Sequence, residues 1–172
     1  AHDTATVIIG NPPAACPRGW PAVGEVTQGP EGSFSHSSPQ YGEYEALDIA
    51  QSMGNRVYAT VEGSVVEIIS INNFDQRIGI QPANCPGLNV VNYWHLSAVL
   101  VSPGDIVSFG QEIGRTGGFV INGVPQPHIH YQFNRPADRS FRIEEPYIPQ
   151  NVLRRDCNEP AIECGVTITS AP

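Results

Sequence analysis

Short Val- and Ile-rich runs, each cut off by a glycine or a proline, constrain this chain more than any other feature. VYAT, SVVEIISI, RIGIQ and NVVNYWHL are of this kind, and 17 glycines and 16 prolines punctuate the 172 residues. β-Branched side chains fit a pleated surface, while glycine and proline break helices and make turns. The pattern therefore predicts a mainly β domain of antiparallel strands with little helix. Residues 57–71 read as two β-rich segments hinged at Gly63, and residues 102–118 as tight hairpins built around Gly104, Gly110, Gly114, Gly117 and Gly118. Length suits one domain with a sizeable core. We divide the chain into an N-terminal extension (1–19), a catalytic-type domain (20–133) and a polar, arginine-rich C-terminal extension (134–172).

Charge and cysteines narrow the function classes. A net charge of −8, with all nine basic residues arginine, argues against nucleic-acid binding, because a phosphate backbone needs a basic surface. No apolar run is long enough to span a membrane, so no membrane insertion is expected. Cys16, Cys85, Cys157 and Cys164 contain no CxxC pair, which disfavours a cysteine-based zinc site. Their even number and wide spacing fit two disulfides and an oxidising compartment. Cys157 with Cys164 and Cys16 with Cys85 is the simplest pairing, and the other two pairings stay open. The N-terminus lacks the basic-then-apolar pattern of a signal peptide. Together these features predict a secreted or periplasmic protein whose signal has been removed.

The chemistry concentrates in the histidines. PHIHYQF places His128 and His130 on one face of a strand, Cα atoms about 6.6–6.8 Å apart. A lone strand histidine is more often a hydrogen-bonded structural residue than a ligand; two on one face bring the readings level. His95 lies in a third strand-like run, NYWHLS. Asp48 sits in EALDIAQ among Ala46, Leu47, Ile49 and Ala50, where a carboxylate is costly unless paired or bound to a cation. A buried Asp capping a turn is the plainer alternative. His36 lies within a loop's length of it.

In this order, FSHSSPQYGEYEALDIA, VYATVEGSVVEI, NYWHLS with VSPGDIVSFGQEIGRTG, and PHIHYQF resemble the M23 family of zinc metallopeptidases, the lysostaphin-like peptidoglycan endopeptidases. The likeness covers roughly residues 20–133. It implies an antiparallel β-sheet, barrel-sandwich-like domain with a loop-walled groove. It also implies one zinc ion held by His36, Asp48 and His130, with His95 and His128 as unliganded catalytic histidines. Many members carry the first ligand four residues before the aspartate. That position here is Tyr44, so His36 is assigned through a longer spacer, with Tyr44, Glu43 and Glu45 as alternatives.

Two imidazoles and one carboxylate leave a fourth position open, as a catalytic zinc site requires. No HExxH is present, so the two histidines stand where a glutamate base would otherwise act. The implied substrate is a peptidoglycan peptide or another peptide, cut by a monomer. Residues 71–89 and INGVPQP are expected as groove walls. The rival readings are a non-catalytic M23-like regulator or binding module, and a histidine phosphocarrier.

Overall fold

The computed structural model describes residues 17, 19–29, 36, 46–85, 87–135, 139–140, 152–153 and 167–172. Among them there is no helix, and hence none long and apolar enough to cross a membrane. Fourteen strands form: β1 (Gly24–Gln28), β2 (Leu47–Ala50), β3 (Arg56–Tyr58), β4 (Gly63–Asn72), β5 (Asp75–Pro82), β6 (Val90–Val99) and β7 (Ile106–Val107), then β8 (Glu112–Thr116), β9 (Phe119–Ile121), β10 (Val124–Gln126), β11 (His128–Arg135), β12 (Arg139–Ser140), β13 (Val152–Leu153) and β14 (Thr167–Ile168). Twelve of them make one antiparallel sheet in the order β13-β14-β1-β2-β11-β6-β5-β4-β7, with β12 on β11 and β8 joining both β6 and β3. β9 and β10 form a separate two-stranded ribbon.

Alternation along the central strands explains why the sheet has one oily and one chemical face. On β11, Ile129, Tyr131 and Phe133 enter the core while His128 and His130 point the other way. On β2, Leu47 and Ile49 are fully buried in the core, and Asp48 lies between them on the opposite face. Val91 and Tyr93 of β6 and Ile78 and Ile80 of β5 complete this layer, with Trp20 and Ile168 packed into the same cluster. Two tyrosine hydroxyls are buried there, and both meet one side chain. Thr60 Oγ1 lies 2.7 Å from the Tyr93 hydroxyl and 2.6 Å from that of Tyr131.

Two details depart from the expectations and one refines them. The glycine-rich stretch after residue 102 makes no hairpin of its own, because β7 pairs with β4 and β8 pairs with β3 and β6. Its Gly104 and Gly110 have positive φ (91° and 78°) and turn the chain between distant partners. Residues 71–89, expected as a groove wall, are built around β5, hydrogen-bonded between β4 and β6, and contribute Arg77 to the groove lining. β11 runs on to Arg135, and β14 pairs with β1, so part of the expected C-terminal extension belongs to the sheet. Cys85 is disulfide-bonded. Cys16, Cys157 and Cys164 lie outside the described residues, as does the expected pairing.

The irregularity that matters most lies in β6. His95 has φ of 64°, a left-handed conformation rare for a residue with a Cβ. Register with β5 shifts between Gln76 and Ile78, so the strand bulges opposite Arg77. Trp94 and His95 consequently both face the chemical side, and Leu96 returns to the core. Gly117 and Gly118 hold this kink, donating to the carbonyls of His95 (2.7 Å) and Phe74 (2.8 Å). A Cβ on Gly117 would collide with the Phe74 carbonyl oxygen and the backbone of Leu96 and Ser97. Gly117→Ala is therefore expected to lower unfolding free energy by about 1–3 kcal/mol in urea titration, the usual cost of overpacking.

Candidate active site

The side chains singled out from the sequence converge on the chemical face through strand register. His130 is directly opposite Asp48 on β2 and Trp94 on β6, and Asp48 is opposite Gln28 on β1. His36 comes from outside the sheet and is fully buried. Its Nε2 lies 3.4 Å from Nδ1 of His130 and 3.5 Å from Oδ1 of Asp48; His130 Nδ1 and Asp48 Oδ1 are 3.0 Å apart. All three residues are buried, and they form a group able to hold a metal ion.

The outer partners fix which atoms face inward. His36 Nδ1 is 2.9 Å from the Gly29 carbonyl, which only accepts, so the proton is on Nδ1 and Nε2 carries a lone pair. His130 Nε2 donates to Oε1 of Gln132 at 3.0 Å, leaving a lone pair on Nδ1. Gln28 Nε2 donates to Oδ2 of Asp48 at 3.0 Å and turns Oδ1 toward the histidines. Two lone pairs and a carboxylate oxygen thus meet with no proton among them, an arrangement that a cation satisfies. The two separations from His36 Nε2, 3.4 and 3.5 Å, match the edges of a coordination tetrahedron, about 3.4 Å for bonds near 2.1 Å, and the His130–Asp48 edge is shorter at 3.0 Å. The residues fit a zinc-like ion on this ground.

Beside this cluster stand the other two histidines, in ring contact with each other at 4.6 Å between centroids. His128 donates Nδ1–H to the Gln126 carbonyl at 2.7 Å, and its Nε2 stays 3.9 Å from Asp48. His95 donates Nδ1–H to Oδ1 of Asp75 at 3.0 Å, within a buried pair. Both therefore carry their lone pair on Nε2 and line the same groove as the metal-type cluster. Burial pushes the His95 imidazole below its ordinary range, a trend Asp75 partly offsets. Asp75 would be raised by burial, but its hydrogen bond from His95 and the nearby Arg77 keep it ionised below the usual range.

Several site residues went unnoticed in the sequence. Asp75 sits in NNFDQRIG, which reads as a turn, and nothing local links it to a histidine 20 residues on. Gln28 and Gln132 are common polar residues whose roles depend on strands far apart in sequence. Gln132 alternates with His128 and His130, and that period was the available clue. Trp94 is stacked on His130 (4.5 Å between centroids, 9° between planes), which packs the imidazole from the side. INGVPQP supplies Ile121, Gln126 and Pro127 to a groove of about 580 Å³, as expected. Tyr44, Glu43 and Glu45, the alternatives to His36, lie outside the described residues.

Residues 42–141 match the family model described as Peptidase family M23, and the chain belongs to that family. Over 89 residues, 52% of this chain, it is 34% identical to the peptidoglycan DD-endopeptidase ShyA of Vibrio cholerae. The chain spans only 20% of that relative's length. Among solved structures, the catalytic domain of the prophage-encoded M23 protein EnpA from Enterococcus faecalis, as a mutant, superposes with a TM-score of 0.54 at 21% identity. That match covers 72% of this chain and 93% of the other. The catalytic domain of lysostaphin from Staphylococcus simulans gives 0.52 at 23% identity, covering 72% and 89%. The SpoIIQ–SpoIIIAH pore forming complex gives 0.54 at 19%, covering 74% and 89%. At these identities the likeness establishes the fold.

The geometry yields a test of the metal-type cluster. Gln132→Leu removes the acceptor that fixes the His130 tautomer. Affinity for Zn²⁺, measured by competition with a chromophoric chelator, is expected to fall about 10–100-fold with the fold retained in circular dichroism.

Proposed function

We propose that the protein is a zinc-dependent endopeptidase that hydrolyses peptide cross-links of peptidoglycan. The observation that carries this reading is the inward convergence of three unprotonated donors, with two further histidines presenting free Nε2 atoms to the same groove. Membership of a peptidase family and the identity to a peptidoglycan endopeptidase supply the reaction class. In this reading His36, Asp48 and His130 hold one zinc ion, and the catalytic unit spans about residues 20–133. A wall substrate places the enzyme in the periplasm or outside the cell. A monomer suffices, since the site draws on one chain.

When bound, zinc supplies Lewis acidity toward a peptide carbonyl and lowers the pKa of water. The chain's own groups do the rest. His95 Nε2 accepts a proton at neutral pH, because burial keeps the ring neutral and Asp75 holds its Nδ1–H in place. The same nitrogen then returns the proton to the leaving amine. His128 has its Nδ1–H tied to the Gln126 carbonyl and its Nε2 near Asp48, so that nitrogen is placed to accept a hydrogen bond from the attacking water or from a substrate N–H. Gln28 and Gln132 hold Asp48 and His130 still while charge moves.

Two measurements test the reading. Purified peptidoglycan is digested with and without a chelator, and the released fragments are identified by mass spectrometry. Chelator-sensitive fragments with new peptide termini are expected; intact wall from several sources, with zinc present in the protein, would instead favour a binding module. At residue level, His130→Ala is expected to lose the metal. His95→Ala is expected to keep it and lose activity by about 10²–10⁴-fold. Full hydrolysis by both variants would remove the assignment.

A further inference from the structure

We propose that Arg77 binds a carboxylate group of the substrate, on the far side of Trp94 from the metal-type cluster. The proposal rests on the hydrolytic reading above and narrows it to a substrate class: peptides with a free carboxylate near the bond that is cut.

Arg77 lies on β5 opposite the β6 bulge and lines the groove. Its Cζ is 4.1 Å from the centre of the Trp94 ring, so the guanidinium lies over the indole. Trp94 in turn stacks on His130. Arginine, indole and imidazole therefore form a row across three neighbouring strands, with the middle ring clamped on both sides. This stacking leaves the guanidinium little freedom to turn before a ligand arrives.

Among the described residues the internal contacts of the arginine are its stacking on Trp94 and its ion pair with Asp75, and neither is a hydrogen bond within 3.5 Å. Its Nε is buried and has no hydrogen-bond partner among the described residues. The nearest anion, Oδ1 of Asp75, is 3.6 Å away, too far for a hydrogen bond, and that same oxygen already accepts Nδ1–H of His95 at 3.0 Å. Asp75 thus balances the charge of Arg77 without using up its donors. A guanidinium has five N–H groups in a planar fork, and the group that matches it is a carboxylate. Among the described groove-lining residues Arg77 is the one arginine or lysine, and Phe119, Ile121, Gln126 and Pro127 line the same groove. In a chain of net charge −8 such a local cation marks where an anion is accepted.

The spacing sets the position. Arg77 and His130 are two strands apart, roughly 10 Å at the usual separation of strands. An extended peptide covers about 3.3 Å per residue, so the carboxylate falls about two to three residues from the scissile bond.

The experiment uses two synthetic cross-linked wall peptides, identical except that one carries a free α-carboxylate and the other its carboxamide. Binding to the zinc-loaded protein is measured by calorimetry, and cleavage by chromatography. The wild type is expected to favour the carboxylate peptide by about tenfold or more in both readouts, as a charge-assisted hydrogen bond would give. Arg77→Gln should abolish that preference. Asp75→Asn should slow cleavage of both peptides while the preference remains, which separates recognition from support of His95. Equal affinity of the wild type for the two peptides would overturn the proposal, as would an Arg77→Gln variant that weakens both alike. Preferential binding without cleavage of either peptide would uphold the role of Arg77 and overturn the hydrolytic reading instead.

Discussion

Strand register is the constraint on which the rest of this structure depends. Trp94, His130, Asp48 and Gln28 lie in one transverse row over β6, β11, β2 and β1, each neighbour fixed by backbone pairing, and Arg77 of β5 joins the row at the bulge by stacking on Trp94. Because side chains alternate with a period of two, a slip of one residue in any of these strands would send its member into the core. The apolar side chains between them forbid the slip. Leu47 and Ile49 flank Asp48, and Ile129 and Tyr131 flank His130, all buried. The core thus does more than stabilise the domain: it sets the lateral alignment of the site.

The row is then converted into a reactive centre by groups that decide where protons sit. Carbonyl-type oxygens of Gly29, Gln132 and Gln126 each take one ring N–H, and a carboxylate takes the fourth. As a result every imidazole shows the groove or the cluster an unprotonated nitrogen. None of these acceptors is itself a reactive group. Their effect is orientation, and orientation is what distinguishes a metal-type cluster from four histidines that happen to be close.

One departure from regular β geometry completes the arrangement. Strict alternation on β6 would place Trp94 and His95 on opposite faces. The left-handed conformation of His95 breaks the alternation, and the close approach of Gly117 and Gly118 supports it. Strained backbone of this kind costs energy and persists where the surroundings enforce it. Here it brings the indole that stacks on His130 and the His95 imidazole to the same side of the sheet.

The sequence by itself determined the β class, and through its resemblance to the M23 family it brought forward His36, Asp48 and His130 as candidate ligands, with Tyr44, Glu43 and Glu45 open beside His36. The alternating pattern of PHIHYQF is periodic, and Asp48 among apolar neighbours is anomalous, so both signals are local. Motif order singles out four of the five histidines; His95, His128 and His130 line one groove, and His36 lies against His130 and Asp48. The tertiary structure alone decided the rest: that Asp75 holds His95, that Gln28 and Gln132 hold Asp48 and His130, and that Arg77 stacks on Trp94 and lines the groove. Each of these depends on pairing between strands widely separated in sequence. A residue's composition and neighbours define its periodicity, but which strand lies beside it is settled by burying the whole apolar face at once.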